Sequence, residues 1–319
     1  MKTRHLIGLL VSVPLILTAC GEKESPPPAR KKLTTRRDKA PAGVAQPIEA
    51  ETPSGTEAPS VSIEEIKKRE MARKLKKLLA AAKDVDAHLE ALGDIARLGK
   101  AALPLLSDVK SLTRHEDPEV RAEAYRTLAA IAEEDARPLL ENGFKDDDET
   151  VRMAAVEAWK TAGIKDVTPL FTLLEDEIEP SVQYAVAVAV RDLGQPFNAA
   201  QAARAVEDVA PAAAKPLIEF LVKQKDAKYV DLLVENMSQA DPSVRVVSAR
   251  GLGELGVKNK AVYTALVSGL DDDDDRVQKA SIDALKKLTG ETRGFDMDTP
   301  IEERRQAAEA WKEWLRQQT

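Results

Sequence analysis

Several residue types that common functional sites require are scarce in this 319-residue chain. It contains one cysteine, three histidines and 4% aromatic residues, and its formal net charge is -7. A single cysteine excludes a disulfide within one chain and any zinc site built on several cysteines. The few aromatic side chains argue against a carbohydrate or nucleobase pocket. The negative charge is a poor match to nucleic acid, because phosphates require a concentrated basic surface, so we expect no nucleic-acid partner.

Motifs that carry catalysis or metal binding are also missing. The sequence has no glycine-rich phosphate loop, no Gly-x-Ser-x-Gly and no histidine pair at ligand spacing. Two acidic runs, at residues 146–148 and 271–275, lack the alternating ligands, the glycine and the final glutamate of calcium loops. We therefore predict no catalytic residue, no metal and no cofactor, and leave open whether the acidic turns bind a cation.

The first twenty residues have the pattern of an export signal. A basic start precedes an apolar run at residues 6–17, which is too short to span a hydrocarbon core of ~30 Å. The run ends in Leu-Thr-Ala-Cys-Gly at residues 17–21, which resembles the lipobox of bacterial lipoproteins. The resemblance implies cleavage between Ala19 and Cys20 and attachment of lipid to the Cys20 thiol. An ordinary signal peptide that happens to contain cysteine is the alternative.

Residues 1–19 are accordingly predicted to be a signal peptide, and residues 20–60 a disordered tether. The second segment holds seven of the 18 prolines and almost no periodic aliphatic residues, so it cannot bury enough apolar surface to fold. Forty residues of flexible coil reach about 35 Å. Through Cys20 the protein would bind a membrane, either the outer membrane or the outer face of the cytoplasmic membrane. Its folded part would then lie outside the cytoplasm.

The remainder of the chain repeats itself at a nearly fixed period. Such a period predicts a stack of small helical units, because one unit alone cannot cover its own apolar face. An apolar residue recurs every 31 residues, and after 33 in the last copy, at Val120, Val151, Val182, Ala213, Val244 and Val277. The positions four and eight residues after each of these continue the same helix face.

Each copy opens with a turn that suits the start of a helix. An acidic residue stands there as a potential N-cap, often followed by proline, which is preformed for the first helical position. The pattern Asp-Pro-x-Val-Arg-x-x-Ala, followed by Leu and Gly, resembles the HEAT repeat and more closely the short bacterial type called PBS-lyase-like. The resemblance implies an all-α solenoid of antiparallel helix pairs that form a right-handed superhelix. It also implies a structural ladder of pairs between repeats at Asp117, Arg121, Asp148, Arg152, Asp241 and Arg245.

The repeat array is predicted to span residues 84–290, between capping helices in residues 61–83 and 291–319. A capping-box pattern at Ser62 predicts the start of the N-terminal capping helix. In the C-terminal capping helix, a bulky apolar stripe around Trp311 is expected to close the end of the stack or, alternatively, to bind a partner. The first helices of the pairs are expected at residues 101–112, 135–144, 167–174, 199–209, 228–237 and 260–270. The apolar stripe of the N-terminal cap consists of Ile63, Ile66, Met71, Leu75, Leu78 and Leu79.

Two functions from different classes follow. A solenoid exposes an extended concave surface lined by its second helices, which suits a non-enzymatic scaffold that binds a protein or peptide. Lipid attachment would place that scaffold in the cell envelope. The alternative is an enzyme, or an accessory subunit of one, of the lyase-like HEAT group. It would require His, Asp or Glu side chains that converge in the groove with shifted pKa values.

Overall fold

A computed structural model describes residues 62–318 of the chain. This range is helical throughout and contains no β-strand. Short 3₁₀ turns precede α3, α5, α9 and α11 and follow α13. The helices are α1 Ile63–Ala81, α2 Val85–Leu98, α3 Leu106–Leu112, α4 Pro118–Ala132, α5 Arg137–Gly143, α6 Glu149–Thr161, α7 Thr168–Asp176, α8 Pro180–Leu193, α9 Ala199–Asp208, α10 Pro211–Lys223, α11 Val230–Asn236, α12 Pro242–Leu255, α13 Lys260–Ser268, α14 Asp275–Thr289 and α15 Ile301–Arg316.

The helices pack in two layers. Each even-numbered helix from α4 to α14 lies against the even-numbered helix before it, and each packs on the odd-numbered helix that precedes it in the chain. The last helix, α15, contacts α13. The architecture is therefore the predicted all-α solenoid of helix pairs. The handedness of its superhelix stays a prediction.

The repeated apolar positions form the core between neighbouring pairs. The side chains at the first, fifth and ninth positions of the pattern are all buried, because steps of four residues return to the same helix face. Truncating such a side chain to alanine costs about 2 to 5 kcal/mol. The six residues at the ninth position are 0% exposed: Leu128, Trp159, Val190, Leu221, Leu252 and Leu285.

The first helices of the pairs are less regular than the sequence predicts. The stretch expected as one helix at residues 101–112 begins as a 3₁₀ turn, Gly99–Leu105, and becomes α-helical only at Leu106. Pro104 lies inside this turn and has no N–H to donate, which disfavours a continuous α-helix there.

The two terminal helices differ from the predictions in detail. Ser62 caps α1 as predicted, since its hydroxyl accepts the Glu65 N–H at 3.1 Å. Only Ala72, Leu75 and Leu79 of this helix are buried, however, because a terminal helix has a neighbour on one side only. The predicted apolar stripe was therefore too wide: four of its members are exposed on the opposite side, namely Ile63, Ile66, Met71 and Leu78.

At the other end, α15 starts at Ile301. Pro300 takes the N-cap position, and the Thr299 hydroxyl donates to a carbonyl in the preceding loop instead of capping the helix. Trp311 is fully buried, and its indole N–H donates to the Thr292 carbonyl at 2.8 Å. This aromatic side chain thus closes the stack and is not an exposed patch for a partner.

The predicted signal peptide, the cleavage site at Ala19 and Cys20, and the tether lie outside the described residues. Among the helices from α1 to α15, none is both long enough and apolar enough to cross a membrane.

Candidate functional site

Three partly buried ion pairs join one repeat to the next. In each pair, Nε and Nη2 of an arginine on an even-numbered helix donate to the two oxygens of one carboxylate. The Nη1 group donates to two main-chain carbonyls of the turn before that helix. The pairs are Arg121 with Asp146 (2.9 and 2.8 Å), Arg152 with Glu177 (2.7 and 2.9 Å) and Arg245 with Asp272 (2.7 and 2.8 Å).

The ladder differs from the predicted one in its acidic partners. Asp117, Asp148 and Asp241 are N-caps, and each accepts the main-chain N–H two residues along, at 2.8, 2.8 and 2.7 Å. Each of these carboxylates is bound at the N-terminus of its own helix, and none forms an ion pair with a ladder arginine in residues 62–318. The arginine instead meets the acid two residues before the next N-cap. The missed signal was an acid at that position, following each copy that carries arginine.

Glutamine replaces arginine in two copies and keeps the connection without charge. Gln183 donates to the Glu177 carbonyl at 2.7 Å and accepts the Ala210 N–H at 2.8 Å. In the last copy, Gln278 donates to the Asp272 carbonyl at 2.7 Å and accepts from Nη1 of Arg304 on α15 at 3.1 Å. Only Ala214, the corresponding residue of α10, has no side-chain group that can reach the next repeat. The ladder is therefore interrupted between α10 and α12.

The carboxylates of Asp146 and Glu177 are ionised at neutral pH. Burial acts to raise the pKa of Asp146, but hydrogen bonds from Arg121 and from a main-chain N–H outweigh it and lower that pKa. Burial also acts to raise the pKa of Glu177. Hydrogen bonds from the Arg152 guanidinium and from two main-chain N–H groups outweigh burial, so the pKa of Glu177 is lowered as well. These pKa shifts have an architectural cause and mark no catalytic group.

A groove on the face of the even-numbered helices lies between the two helices where the ladder is interrupted. It measures about 480 Å³, and its walls are α10, α12 and one residue of α14. These two helices also contact each other less extensively than other neighbouring even-numbered helices do. The floor of this cationic groove is formed by Val222, Val246, Val247 and Gly251, and its basic rim by Lys215, Lys223, Lys225, Arg250 and Arg276.

The rim carries an excess of unpaired positive charge. The two acids in the lining are already engaged from outside, Glu219 by Arg191 and Glu254 by Lys287. Arg276 pairs with the N-cap of its own helix. The other four cations of the rim are exposed and form no ion pair within residues 62–318.

Gly251 determines the depth of the groove floor. A Cβ atom at this position would lie 2.7 Å from Val222 Cγ2 and 2.9 Å from Leu233 Cδ1. Any side chain here would push these neighbours aside, because real Cβ atoms do not approach so closely. The glycine thus lets α12 pack closely against α10 and α11.

A larger cavity of about 670 Å³ lies at α5 and α7, in the odd-numbered layer. Its lining includes Arg152 and Glu177, which bind each other, and Asp146, which binds Arg121. These three charged groups of the cavity therefore serve the architecture.

The groups that could carry acid–base or metal chemistry are dispersed. The rings of His88 and His115 lie 5.0 Å apart, and the Nδ1 atom of each is occupied, by the Asp84 carbonyl and the Asp117 N–H respectively. No group of three or more His, Cys, Asp or Glu side chains in the described residues could hold a metal ion. In the two acidic runs, one aspartate of each serves as an N-cap.

The repeats match the sequence pattern of one family. The sequence profile of HEAT repeats matches residues 72–160 and 230–312, together more than half of the chain. The chain belongs to the HEAT-repeat family. In this HEAT-repeat protein, the stretch between the two matches contains α10, which is the copy without acid and arginine and forms one wall of the cationic groove.

Two solved structures resemble this HEAT-repeat protein weakly. Human deoxyhypusine hydroxylase in complex with glycerol is 20% identical, with 72% of this chain and 96% of that chain covered and a TM-score of 0.34. The complex of CpcE and CpcF of phycocyanin lyase from Nostoc sp. PCC7120 is 18% identical, with 84% of this chain and 100% of that chain covered and a TM-score of 0.39. Likenesses of this size carry no argument about activity. No curated protein matches the chain significantly.

Proposed function

We propose that this HEAT-repeat protein is a non-enzymatic, lipid-anchored component of the cell envelope that binds a partner protein on its even-numbered helices. The observation that carries the proposal is the cationic groove, which combines an apolar floor with unpaired cations in a chain of net charge -7. No specific observation in residues 62–318 favours the alternative, an enzyme or accessory subunit of the lyase-like HEAT group.

The chemistry of the groove selects an acidic segment with a few apolar side chains. Apolar anchors on the partner would cover Val222, the partly exposed valine of the floor, and would contribute most where water is excluded. Carboxylates flanking those anchors would meet the lysines of the rim, which speeds association and fixes the register. Two adjacent helices with a depression between them suit a peptide or helix laid along the groove.

The anchor is proposed from the sequence at residues 17–21, where Cys20 follows Leu-Thr-Ala. Two or three acyl chains at one residue hold a protein on a membrane effectively permanently, whereas a single chain holds it reversibly. We expect Cys20→Ser to abolish fatty-acid labelling and to release the protein from membranes. Retention of label and membrane association in this variant would contradict the proposal.

The groove is tested in intact cells with a photo-crosslinking amino acid at Val222, the partly exposed valine of the groove floor. A matched chain carries it at Glu313, an exposed residue of α15 far along the chain from the groove. We expect a discrete crosslinked partner from the groove position and none from the control. Mass spectrometry should locate the crosslink in a segment that is rich in Asp and Glu.

The charge requirement is tested by reversing the rim in the crosslinking chain. The triple change Lys215→Glu, Lys223→Glu and Lys225→Glu should reduce the yield about tenfold or more, because like charges would then face the partner. A control chain with the same change in net charge carries Lys67→Glu, Lys74→Glu and Lys77→Glu on α1. An equal yield from both triple variants would refute recognition by the groove.

A further inference from the structure

The outward face of α1 is unusual for the end of a repeat array. Terminal repeats normally present a polar outer face, because no further repeat covers them. In α1, four large apolar side chains are instead 46% to 74% exposed. They are Ile63, Ile66, Met71 and Leu78.

The same helix carries a concentration of positive charge. It contains seven lysines and arginines and three glutamates, a local charge of +4 (7 - 3) in a chain of net charge -7. Three of the cations are paired, Lys68 with Glu64, Arg69 with Glu65 and Lys76 with Asp108. The other four form no ion pair within the described part of the chain, and they are Lys67, Arg73, Lys74 and Lys77.

The unpaired cations and the exposed apolar residues share one side of the helix. At about 100° per residue, all eight fall within about 80° of Ile63 around the helix axis. The buried residues Ala72, Leu75 and Leu79 lie on the opposite side. We define these eight side chains as the outward face of α1; from Ile63 to Leu78 it is about 22 Å long.

We infer that the outward face of α1 lies on an anionic phospholipid surface. Apolar side chains of a surface helix enter the boundary between headgroups and acyl chains, while lysine stems keep their ammonium groups at the headgroups. Each cation near such a surface strengthens binding about fivefold. An occupant that meets all eight side chains must be extended over the whole length of the helix, which favours a lipid surface over a small ligand.

The position of α1 in the chain agrees with this occupant. Ser62, its N-cap, directly follows the segment that carries Cys20, so α1 is the first described element after the proposed lipid attachment. This point rests on the proposed anchoring, whereas the charge and exposure of the face do not. Contact of α1 with lipid would fix the orientation of the solenoid on the membrane and leave the cationic groove, on α10 and α12, free for a partner.

The test uses the mature chain, from residue 20 onward, with Cys20→Ser, so that neither a covalent lipid nor the apolar run at residues 6–17 contributes. An environment-sensitive fluorophore is attached at Leu78→Cys, and in a matched chain at Ile301→Cys on α15, where the native side chain is 52% exposed. Vesicles of phosphatidylcholine alone are compared with vesicles that also contain phosphatidylglycerol, in a three-to-one ratio. We expect a blue shift and increased emission for the label on α1 with the anionic vesicles only, and no shift for the label on α15.

Charge reversal on α1 then tests whether its cations cause the binding to anionic vesicles. Lys67→Glu, Lys74→Glu and Lys77→Glu together should weaken partition into anionic vesicles about a hundredfold or more, as expected for three cations at about fivefold each. Reversal of the three rim lysines of the groove, which changes the net charge equally, should leave partition unchanged.

Three outcomes would overturn the inference. One is an equal shift of the α1 label with neutral and anionic vesicles. Another is unchanged partition after charge reversal on α1. The third is a shift that appears without vesicles as protein concentration rises, which would assign the face to a second copy of the chain. Failure of the crosslinking experiment would remove the groove proposal alone, because the vesicle assay contains no partner protein.

Discussion

Arg152→Ala is the sharpest test of the idea that the ladder stabilises the solenoid. The arginine side chain is 15% exposed and its partner, the Glu177 carboxylate, 2% exposed. Removing the guanidinium leaves a buried carboxylate with only main-chain N–H partners, and it also frees the carbonyls of Asp146 and Asp147. Breaking a buried pair from one side costs about 3 to 5 kcal/mol. Because water can reach part of the arginine position, we expect the lower end, about 3 kcal/mol.

Arg126→Ala provides the matched control. Arg126 also joins consecutive even-numbered helices, through Glu157 at 3.3 Å, but the two side chains are 40% and 50% exposed. Exposed pairs contribute about 0 to 1 kcal/mol, because water screens the charges and the side chains lose freedom when they pair. The same arginine-to-alanine change is thus made across a repeat boundary in both cases, with burial as the main difference.

Thermal unfolding followed by far-UV circular dichroism at pH 7 measures the effect. For a domain of this size we expect Arg152→Ala to lower the melting temperature by about 6 to 12 °C and Arg126→Ala by less than about 4 °C. The double change Arg152→Met and Glu177→Leu should be less damaging than Arg152→Ala, since no charge is left unpaired. Equal melting temperatures for the two single variants would show that the ladder does not stabilise the fold.

Three further predictions concern other parts of the ladder and core. The lowered pKa of Glu177, from an ordinary value of 4.5, means that its ionised form stabilises the folded state fully above that value and progressively less as pH falls through the folded pKa. The difference in unfolding free energy between wild type and Glu177→Gln should therefore be constant above pH ~5 and shrink below it, and a difference that grows on acidification contradicts this. Asp241→Ala removes an N-cap acceptor and should cost about 1 kcal/mol in urea unfolding, where no change would argue against the cap. Ser248→Ala should leave stability equal or higher, because the buried hydroxyl has no hydrogen-bond partner in the structure and two other copies carry Ala124 and Ala155 there; a clear loss in the same assay would reveal a missing partner.

The repeat register made most of the fold predictable from sequence. Steps of 31 residues located the even-numbered helices and their buried positions, because a residue that faces the same neighbour in every copy is under the same packing constraint. The ends were less predictable, since periodicity does not say which side of a terminal helix has a neighbour. Ile63 and Leu78 were expected in the core for that reason and are exposed.

The candidate site was less accessible to sequence reasoning. The arginines of the ladder were identified, but Asp146, Glu177 and Asp272 were not, because the link is made across two repeats and the more prominent Asp-Pro acid lies nearby. The cationic groove arises where the repeat pattern fails. Because α10 departs from the repeated pattern, periodicity does not single it out. The three-dimensional arrangement shows that its lysines line the cationic groove together with α12.

The absence of a link at Ala214 has a mechanical meaning. In a stack whose units contact only their neighbours, resistance to bending and separation is the sum of the individual junctions. Five of the six second helices in the repeat pattern send a side chain to the following unit, and α10 does not. A pull between the membrane end of the chain and a partner held in the groove would load the junctions from α1 to α10 in series. Because the α10 to α12 junction lacks this link, we expect it to bend most easily, and a partner bound to both helices would stiffen it.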